Sequence, residues 1–149
     1  MYLLENALVG NIPDELGKLK SLRIFDADFN RLSGLEYLIV GGNNFGGEVP
    51  RFDKLHNLFL LDMDNNQFGS DRPDHDSSLM SSLANATNLN RLYLQNNAFG
   101  GTFHEFFSKL SNNLAFVDLS NNRISGHIPV DIGKFVNLEE LRLNGNHLT

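Results

Sequence analysis

Acidic side chains at alternate positions are the first candidates for chemistry in this sequence. Asp62 and Asp64 are followed by Asn66, and residues 26–30 repeat the same Asp-x-Asp-x-Asn spacing. Oxygen ligands at positions 1, 3 and 5 begin a calcium-binding loop, which also requires glycine at position 6 and glutamate at position 12. Here position 6 is Gln67 and position 12 is a proline. The spacing therefore predicts no calcium loop, and we expect neither a metal ion nor another cofactor.

Two further groups of titratable residues are candidates for metal binding or acid–base catalysis. Residues 71–76 hold three aspartates and a histidine, but acidic residues usually lie in solvent, which favours a solvated loop over a metal site. His104 and Glu105 could exchange protons with a substrate, yet no nucleophile or paired carboxylate accompanies them. The alternative, a polar position on the outside of the fold, is favoured, and we expect no enzyme activity.

The composition narrows the range of functions. The chain has 149 residues, a net charge of −6 and no cysteine, so it contains no disulfide and no thiolate metal site. It has no run of lysine and arginine, which argues against a nucleic-acid or anionic-membrane surface. Its apolar runs are shorter than a membrane span, and residues 1–5 do not form a signal peptide. These features favour an elongated, soluble domain.

The candidate residues lie within a repeat that residues 114–137 show in full. Counted from Leu114, apolar residues stand at positions 1, 4, 6 and 11, and Asn122 stands at position 9. Gly126 at position 13 and Pro129 at position 16 follow. The alternation at positions 4–6 predicts a short strand with one inward face, which stacked coils bury together. An inward asparagine at each coil would satisfy backbone groups at the bend, and repetition would form an asparagine ladder.

The repeat extends along the whole chain, with about six to seven coils. The coils begin near Leu22, Leu35, Leu58, Leu89, Leu114 and Leu138. The step from Leu22 to Leu35 is 13 residues instead of 24, which predicts an irregular reversal at residues 29–35; the alternative is a looser loop that still lets the strands pair. An insert at residues 70–88 predicts a loop, then one short helix containing Leu79, Met80 and Leu83, capped by Asp76 or Ser77.

The repeat pattern Leu-x-x-Leu-x-Leu-x-x-Asn-x-Leu-x-Gly-x-Ile-Pro resembles the plant-type leucine-rich repeat. This resemblance implies a leucine-rich-repeat solenoid of the α/β superhelix class. Short parallel strands would line the concave face, with loops, 3₁₀ turns and the short helix on the convex side. One coil is truncated and both ends lack caps, so we expect apolar faces at Leu3, Leu16, Leu143 and Leu148, and end-to-end self-association through them.

A narrower resemblance concerns the middle of the chain. Residues 65–69, the long insert, and residues 82–89, 96–101 and 110–114 resemble the ectodomain of cereal receptor-like kinases. The relevant subfamily is that of the elongation-factor-Tu receptor and the rice bacterial-blight receptor, which carry cysteine where this chain has alanine at 86. The resemblance implies an extracellular recognition domain, above a membrane span and a kinase domain. The kinase signatures are absent from the chain, so a kinase would belong to another domain.

Side chains that point outward from the predicted strands form columns from coil to coil. Core packing does not determine these positions, and aromatic residues and arginine contribute most to binding interfaces. They are therefore candidates for binding a ligand, although exposed strand residues are often merely solvated. The candidate residues are Phe59, Asp62, Asp64, Arg91, Tyr93, Gln95, Phe116, Asp118 and Arg142.

Residues 85–87 form an Asn-x-Thr sequon for N-glycosylation. In a secreted parent protein we expect Asn85 to be glycosylated, whereas it would stay unmodified in a chain that lacks a signal peptide. The family resemblance implies the extracellular side of the plasma membrane. The amino-terminal segment is too short to be a signal peptide, so the sequence does not indicate where the chain itself is located.

The leading functional prediction is recognition of a peptide or protein ligand, within a receptor-like ectodomain in defence or developmental signalling. A co-receptor is a second expected partner. One alternative is a soluble inhibitor or scaffold similar to plant polygalacturonase inhibitors. Another is a truncated gene product with little function of its own, which the open ends and the shortened coil favour.

Overall fold

The computed structural model describes residues 9–10, 34–47, 49, 51–69 and 79–149. Within these residues, short strands alternate with turns and with three helical segments. The elements are β1 (Val9–Gly10), β2 (Tyr37–Ile39), β3 (Asn44–Gly47), β4 (Leu60–Asp62), β5 (Gln67–Phe68), α1 (79–83), β6 (Arg91–Tyr93), α2 (Phe103–Phe107), β7 (Phe116–Asp118), β8 (Ser125–Gly126), a 3₁₀ helix (Val130–Lys134), β9 (Glu140–Arg142) and β10 (His147–Leu148).

Five parallel strands form the concave sheet, in the order β2-β4-β6-β7-β9. The central residues of the strands lie side by side in register. Leu38, Leu61 and Leu92 are fully buried, Val117 is 1% exposed, and Leu141 is partly buried. Since alternate residues of a strand point to opposite faces, the flanking residues face outward. Within the described residues, the strands predicted from the Leu-x-Leu alternation are therefore confirmed.

The last coil is less well buried than the coils before it. Leu143 and Leu148, predicted to be exposed, are partly buried and pack against the core. Leu3 and Leu16, the other two residues of that prediction, lie outside the described residues. Each coil buries its apolar side chains against the coil on either side, so a coil with one described neighbour keeps some of its apolar surface exposed.

The predicted asparagine ladder is present. Asn122 accepts a hydrogen bond from Phe99 N at 3.0 Å and donates to the carbonyls of Leu94 and Leu119 at 2.9 and 3.1 Å. Asn66, Asn97 and Asn146 repeat the same pattern, each accepting from a backbone N–H of the preceding coil and donating to carbonyls of both coils. These amides satisfy buried backbone groups where the strands end, since unpaired ones would be costly.

The residue immediately before each ladder asparagine has a left-handed backbone. Asn65, Asn96 and Asn121 have φ of 47°, 54° and 53°, and Gly42 and Gly145 take the same position at 64° and 71°. Asparagine and glycine are the residues that adopt this conformation at least cost. The three asparagines also form an exposed chain, in which Asn96 donates to Asn65 at 2.8 Å and Asn121 donates to Asn96 at 2.7 Å.

On the far side of the coils, short strands pair in parallel beyond the ladder. Strand β3 lies between β1 and β5, and β8 pairs with β10. Strands β1 and β3 are direct neighbours although residues 11–43 separate them in the sequence. The predicted irregular reversal at 29–35 lies outside the described residues except for Gly34 and Leu35, so pairing between the strands near Leu22 and Leu38 is not described.

The prediction of one short helix was incomplete. The insert does end in α1, where Leu79, Met80 and Leu83 are buried as predicted, while its predicted caps at 76 and 77 lie outside the described residues. A second helix, α2, begins after Thr102. Thr102 and Glu105 form a reciprocal capping box, and the phenylalanines at i, i+3 and i+4 of this helix are buried. The Thr-x-x-Glu signal before an apolar run was available in the sequence.

Candidate functional site

All nine side chains predicted to bind a ligand belong to the outward side of the five-stranded sheet, here called the concave face. Phe59 and Tyr37 are 37% and 39% exposed, and their rings lie 5.9 Å apart between centroids. Most of the remaining candidates are half-buried, whereas Asp118 is only 7% exposed. The structure gathers these residues into four neighbouring groups with different chemistry.

An arginine stacked on an aromatic ring lies near the centre of the concave face. Arg91 of β6 and Phe116 of β7 are register partners, and the guanidinium carbon lies 4.7 Å from the ring centroid. Such a cation–π contact holds a flexible arginine in one position. Arg91 Nε has no hydrogen-bond partner among the described residues. The pair forms a flat surface with a positive charge and an aromatic ring, beside Tyr93 of the same strand.

A pair of carboxylates lies on the neighbouring strand. Asp62 Oδ1 accepts a hydrogen bond from Asp64 N at 3.2 Å, and Asp64 Oδ2 accepts one from Gln95 Nε2 at 2.9 Å. Burial raises the pKa of Asp62 to about 6; the Asp64 N–H partly opposes the shift and the Asp64 charge adds to it. A Cβ at Gly41 would approach Asp64 Oδ1 to 2.0 Å, so the Asp64 carboxylate occupies space that a side chain at position 41 would otherwise fill.

Asp118 and Arg142 form a third group towards the last strand. Asp118 Oδ1 accepts hydrogen bonds from Ser120 N at 2.9 Å and Ser120 Oγ at 2.6 Å. Arg142 lies 3.7 Å from Asp118 Oδ2 and 2.5 Å from Glu140 Oε1. A hollow of about 180 Å³ lies between this group and Tyr93 and Phe116. Asp118 therefore orients its neighbours, while Arg142, with a side chain 60% exposed, is accessible.

The fourth group lies where the strands begin and forms a groove of about 850 Å³, here called the strand-start groove. Its lining includes the second residue of five coils, and these residues are Glu36, Phe59, Asn90, Ala115 and Glu139. The lining also includes the residues directly before the first leucine of four coils, which are Asn57, Asn88, Asn113 and Asn137. Among the described residues, the lining has two carboxylates and no lysine or arginine.

The asparagines that line this groove were missed by the sequence prediction, although their signal was present. The dipeptide Asn-Leu opens the coils at residues 57, 88, 113 and 137. Asn113 Nδ2 donates to Thr87 O at 2.9 Å, and Asn137 Nδ2 donates to Asn112 O at 3.3 Å. Each of these two side-chain amides thus donates a hydrogen bond to a backbone carbonyl of the preceding coil. Of the nine predicted residues, only Phe59 lines the groove.

Two other sequence candidates, Glu105 and Asn85, lie away from the concave face, whereas the acidic residues at 26–30 and 71–76 lie outside the described residues. The Glu105 carboxylate accepts hydrogen bonds from Thr102 N at 2.9 Å and Thr102 Oγ1 at 2.8 Å, which lowers the pKa of Glu105, while His104 is exposed. Glu105 therefore caps α2. Asn85 is exposed and donates to Asp53 O at 3.2 Å. Among the described residues, no three histidine or acidic side chains are grouped closely enough to hold a metal ion.

None of the helices in the described ranges is long and apolar enough to cross a membrane. The family model for the leucine-rich repeat matches residues 87–148. The chain is 39% identical over 92 residues to the receptor kinase-like protein Xa21 of Oryza sativa subsp. japonica; the match spans 62% of this chain and 9% of that protein. It is 38% identical over 90 residues to the receptor-like kinase EFR of Arabidopsis thaliana, covering 60% of this chain and 9% of EFR.

A solved structure resembles nearly the whole chain. The plant peptide hormone receptor RGFR1, in complex with RGF2, matches with a TM-score of 0.76 and 26% identity. The match spans 99% of this chain and 24% of the receptor chain. The predicted resemblance to the subfamily that contains Xa21 and EFR is thus confirmed. The chain contains leucine-rich repeats and resembles a segment of the ectodomain of these plant receptor kinases.

Proposed function

We propose that the concave face binds an extended peptide or a protein surface, and that the chain serves as a recognition module in signalling. The observation that carries this proposal is the Arg91–Phe116 stack beside Tyr93 at the centre of the sheet. These side chains point away from the core, and the fold does not require their chemistry. Aromatic residues and arginine are the types that contribute most to binding energy.

The chemistry of the face supports recognition more than catalysis. Its charged groups are held by neighbours, as in the Asp64–Gln95 and Asp118–Ser120 hydrogen bonds, and a fixed set of donors and acceptors suits a binding surface. Glu105, the carboxylate next to His104, serves as a helix cap. A role without enzyme activity is therefore proposed for this chain.

The relatives support peptide recognition in particular. The structural neighbour RGFR1 is described as a peptide hormone receptor and is bound to RGF2. The chain corresponds to about a tenth of Xa21 and EFR, so their complete activities are proposals for it. We infer an extracellular position, by analogy with the receptor ectodomains. A co-receptor as a second partner, and self-association through coil ends, remain predictions.

Selection from a library of displayed peptides tests the proposal. The full chain would be the target, and the selected peptides would then be measured against Arg91→Ala and Phe116→Ala. Loss of the stack should weaken binding at least about tenfold, because a residue that anchors an interface contributes roughly 1.4 kcal/mol or more. The matched control is His104→Ala, which changes an exposed side chain on the far side. Peptides that bind all three variants with equal affinity would contradict the proposal.

A further inference from the structure

We propose that two neighbouring subsites on the concave face bind an acidic and an aromatic side chain of one extended peptide, with a single residue between them. Arg91 is the subsite for the carboxylate. The subsite for the ring is the hollow between β6, β7 and β9, here called the aromatic hollow, which is lined by Tyr93, Phe116, Val117, Asp118, Glu140 and Arg142. This inference rests on the proposed recognition function and specifies the ligand chemistry of that site.

Arg91 has no carboxylate within ion-pair distance among the described residues. Its guanidinium carbon lies 4.7 Å from the centroid of the Phe116 ring, and its enclosed Nε has no hydrogen-bond partner there. By contrast, the guanidinium of Arg142 lies 2.5 Å from Glu140 Oε1 and 3.7 Å from Asp118 Oδ2. A half-buried guanidinium has lost part of its hydration, so a ligand carboxylate that accepts its N–H groups is the favoured partner of Arg91.

The size of the aromatic hollow and the composition of its walls suit a neutral ring. Its volume is about 180 Å³, and an apolar cavity of about 150 Å³ is large enough to hold benzene. Tyr93 and Phe116 form aromatic walls against which a further ring can pack, and such ring pairs are favourable beyond the area that they bury. The charged groups of the lining already pair with one another through Arg142, so a neutral side chain need not break an ion pair.

A lysine or arginine of the ligand is the alternative occupant of the aromatic hollow, because the described lining has two carboxylates and one guanidinium. Such a cation would compete with Arg142 for both carboxylates. One oxygen of Asp118 is also occupied, since it accepts hydrogen bonds from Ser120 N and Ser120 Oγ. The cation would lie near the charge of Arg91 as well, which repels it. These contacts favour the neutral ring over the cation.

The shared Phe116 ring determines the spacing of the two ligand groups. The ring contacts the Arg91 guanidinium and also lines the aromatic hollow, so the two subsites are immediate neighbours. Alternate side chains of an extended peptide point the same way and lie about 7 Å apart, whereas successive side chains point to opposite faces. The predicted motif is therefore an acidic and an aromatic residue separated by one residue, in either order.

Selection of a displayed library of random dodecapeptides on the full chain tests this motif. Enriched peptides should share aspartate or glutamate two positions away from phenylalanine, tyrosine or tryptophan. Their affinities are then measured with synthetic copies that have acetylated and amidated ends, so that only side chains carry charge. Replacement of the acid by its amide should weaken binding about fivefold to tenfold, as expected for one half-buried charge pair. Replacement of the ring by alanine should weaken binding at least about tenfold.

Two double-mutant cycles assign each ligand group to its subsite. Arg91→Gln should weaken the acidic peptide about fivefold to tenfold, and its amide copy less than about twofold. Tyr93→Ala should weaken the aromatic peptide at least about tenfold, and its alanine copy less than about threefold. Arg51→Gln is the control, because it removes the same charge from an exposed side chain outside the five-stranded sheet and should leave the affinities unchanged.

The outcomes separate this inference from the proposed function. Enriched peptides that lack the acid–x–ring spacing, that carry lysine or arginine in place of the ring, or that show no coupling in the cycles would overturn the inference. If such peptides still lose affinity for Phe116→Ala, recognition by the concave face stands. Peptides that bind Phe116→Ala and the original chain equally, or a library from which no peptide is enriched, would overturn both.

Discussion

The two sides of the same five strands differ sharply in composition. On the inward side, the central residues are all aliphatic: Leu38, Leu61, Leu92, Val117 and Leu141. On the outward side, the next residue of each strand differs in size and charge: Ile39, Asp62, Tyr93, Asp118 and Arg142. Packing restricts the inward side to one chemistry, because a shared core tolerates neither charge nor a large change in volume. The outward side is left free to specify a ligand.

Two adjacent asparagines repeat this contrast at the bend. Asn122 is 6% exposed and bonds to backbone groups of two coils, whereas Asn121 is exposed and bonds to the side chain of Asn96. Asn122 supplies hydrogen bonds that these backbone groups would otherwise lack. Asn121 is suited to its position because the backbone there has a φ of 53°, which asparagine adopts at low cost. The same residue type therefore serves two purposes at neighbouring positions.

Truncation of an inward leucine should give the largest effect on stability. Leu92 is fully buried in the middle strand, so Leu92→Ala should lower the free energy of unfolding by about 3 kcal/mol through lost burial and a residual cavity. Urea denaturation of the full chain measures this loss. A change below about 1 kcal/mol would show that the sheet repacks easily and that its inward side is less restricted than described.

Removal of a ladder asparagine should cost nearly as much. Asn122→Ala leaves Phe99 N and Leu94 O, two buried groups, without this partner, and we expect a loss of about 2 to 3 kcal/mol. Asn121→Ala is the matched control at the adjacent position, with an expected loss of about 1 kcal/mol from the left-handed backbone. Asn121→Gly should be nearly neutral. Equal losses at 121 and 122 on replacement by alanine would contradict the distinction between the two columns.

The pH dependence of stability tests the acidic pair. Because the folded-state pKa of Asp62 is raised to about 6, the folded state binds this proton more tightly than the unfolded state does. This contribution is fully present below the unfolded pKa of about 4 and is lost as pH rises through about 6. Between pH 4 and pH 7, the free energy of unfolding of Asp62→Asn should therefore rise by about 1 to 2 kcal/mol relative to that of the original chain, after allowance for partial solvent screening. Parallel stability curves would refute the raised pKa.

Glycosylation of Asn85 should have the smallest effect on the fold. Asn85 is exposed, so an attached glycan would extend into solvent. Expression of the chain with a secretion signal in plant cells should raise its intact mass by one N-glycan. Asn85→Gln should abolish the increase, with a change in stability within about 0.5 kcal/mol. If the secreted chain had its unmodified mass, the prediction would be wrong.

The repeat itself predicted the inward half of the structure well. Spacing of apolar residues gave the strands, and the asparagine at position 9 gave the ladder, because both follow from one short-range pattern repeated along the chain. Helix α2 was missed because the prediction considered Glu105 together with His104 as an acid–base pair and did not recognise Thr102 and Glu105 as a capping box. Local signals can thus outweigh the repeat consensus.

The outward half was less predictable from sequence. Strand periodicity placed the nine candidates on one face, but contacts such as the Arg91–Phe116 stack depend on which strands are neighbours across 23 to 31 residues. Likewise, the strand-start groove combines residues from five coils, and burial of Asp118 by Ser120 and Arg142 requires the folded geometry. Chemistry that arises between coils could not be derived from one coil alone.

Paired measurement of stability and binding on Tyr93→Ala and Phe116→Ala tests the central claim most directly. Both residues are half-buried on the outward side. Each variant should lose about 1 kcal/mol of stability or less in urea denaturation, because the side chains lie outside the core. Each should also bind a peptide selected on the original chain at least about tenfold more weakly. Unchanged affinity, or a loss of stability as large as that of Leu92→Ala, would contradict a concave face whose outward residues serve recognition.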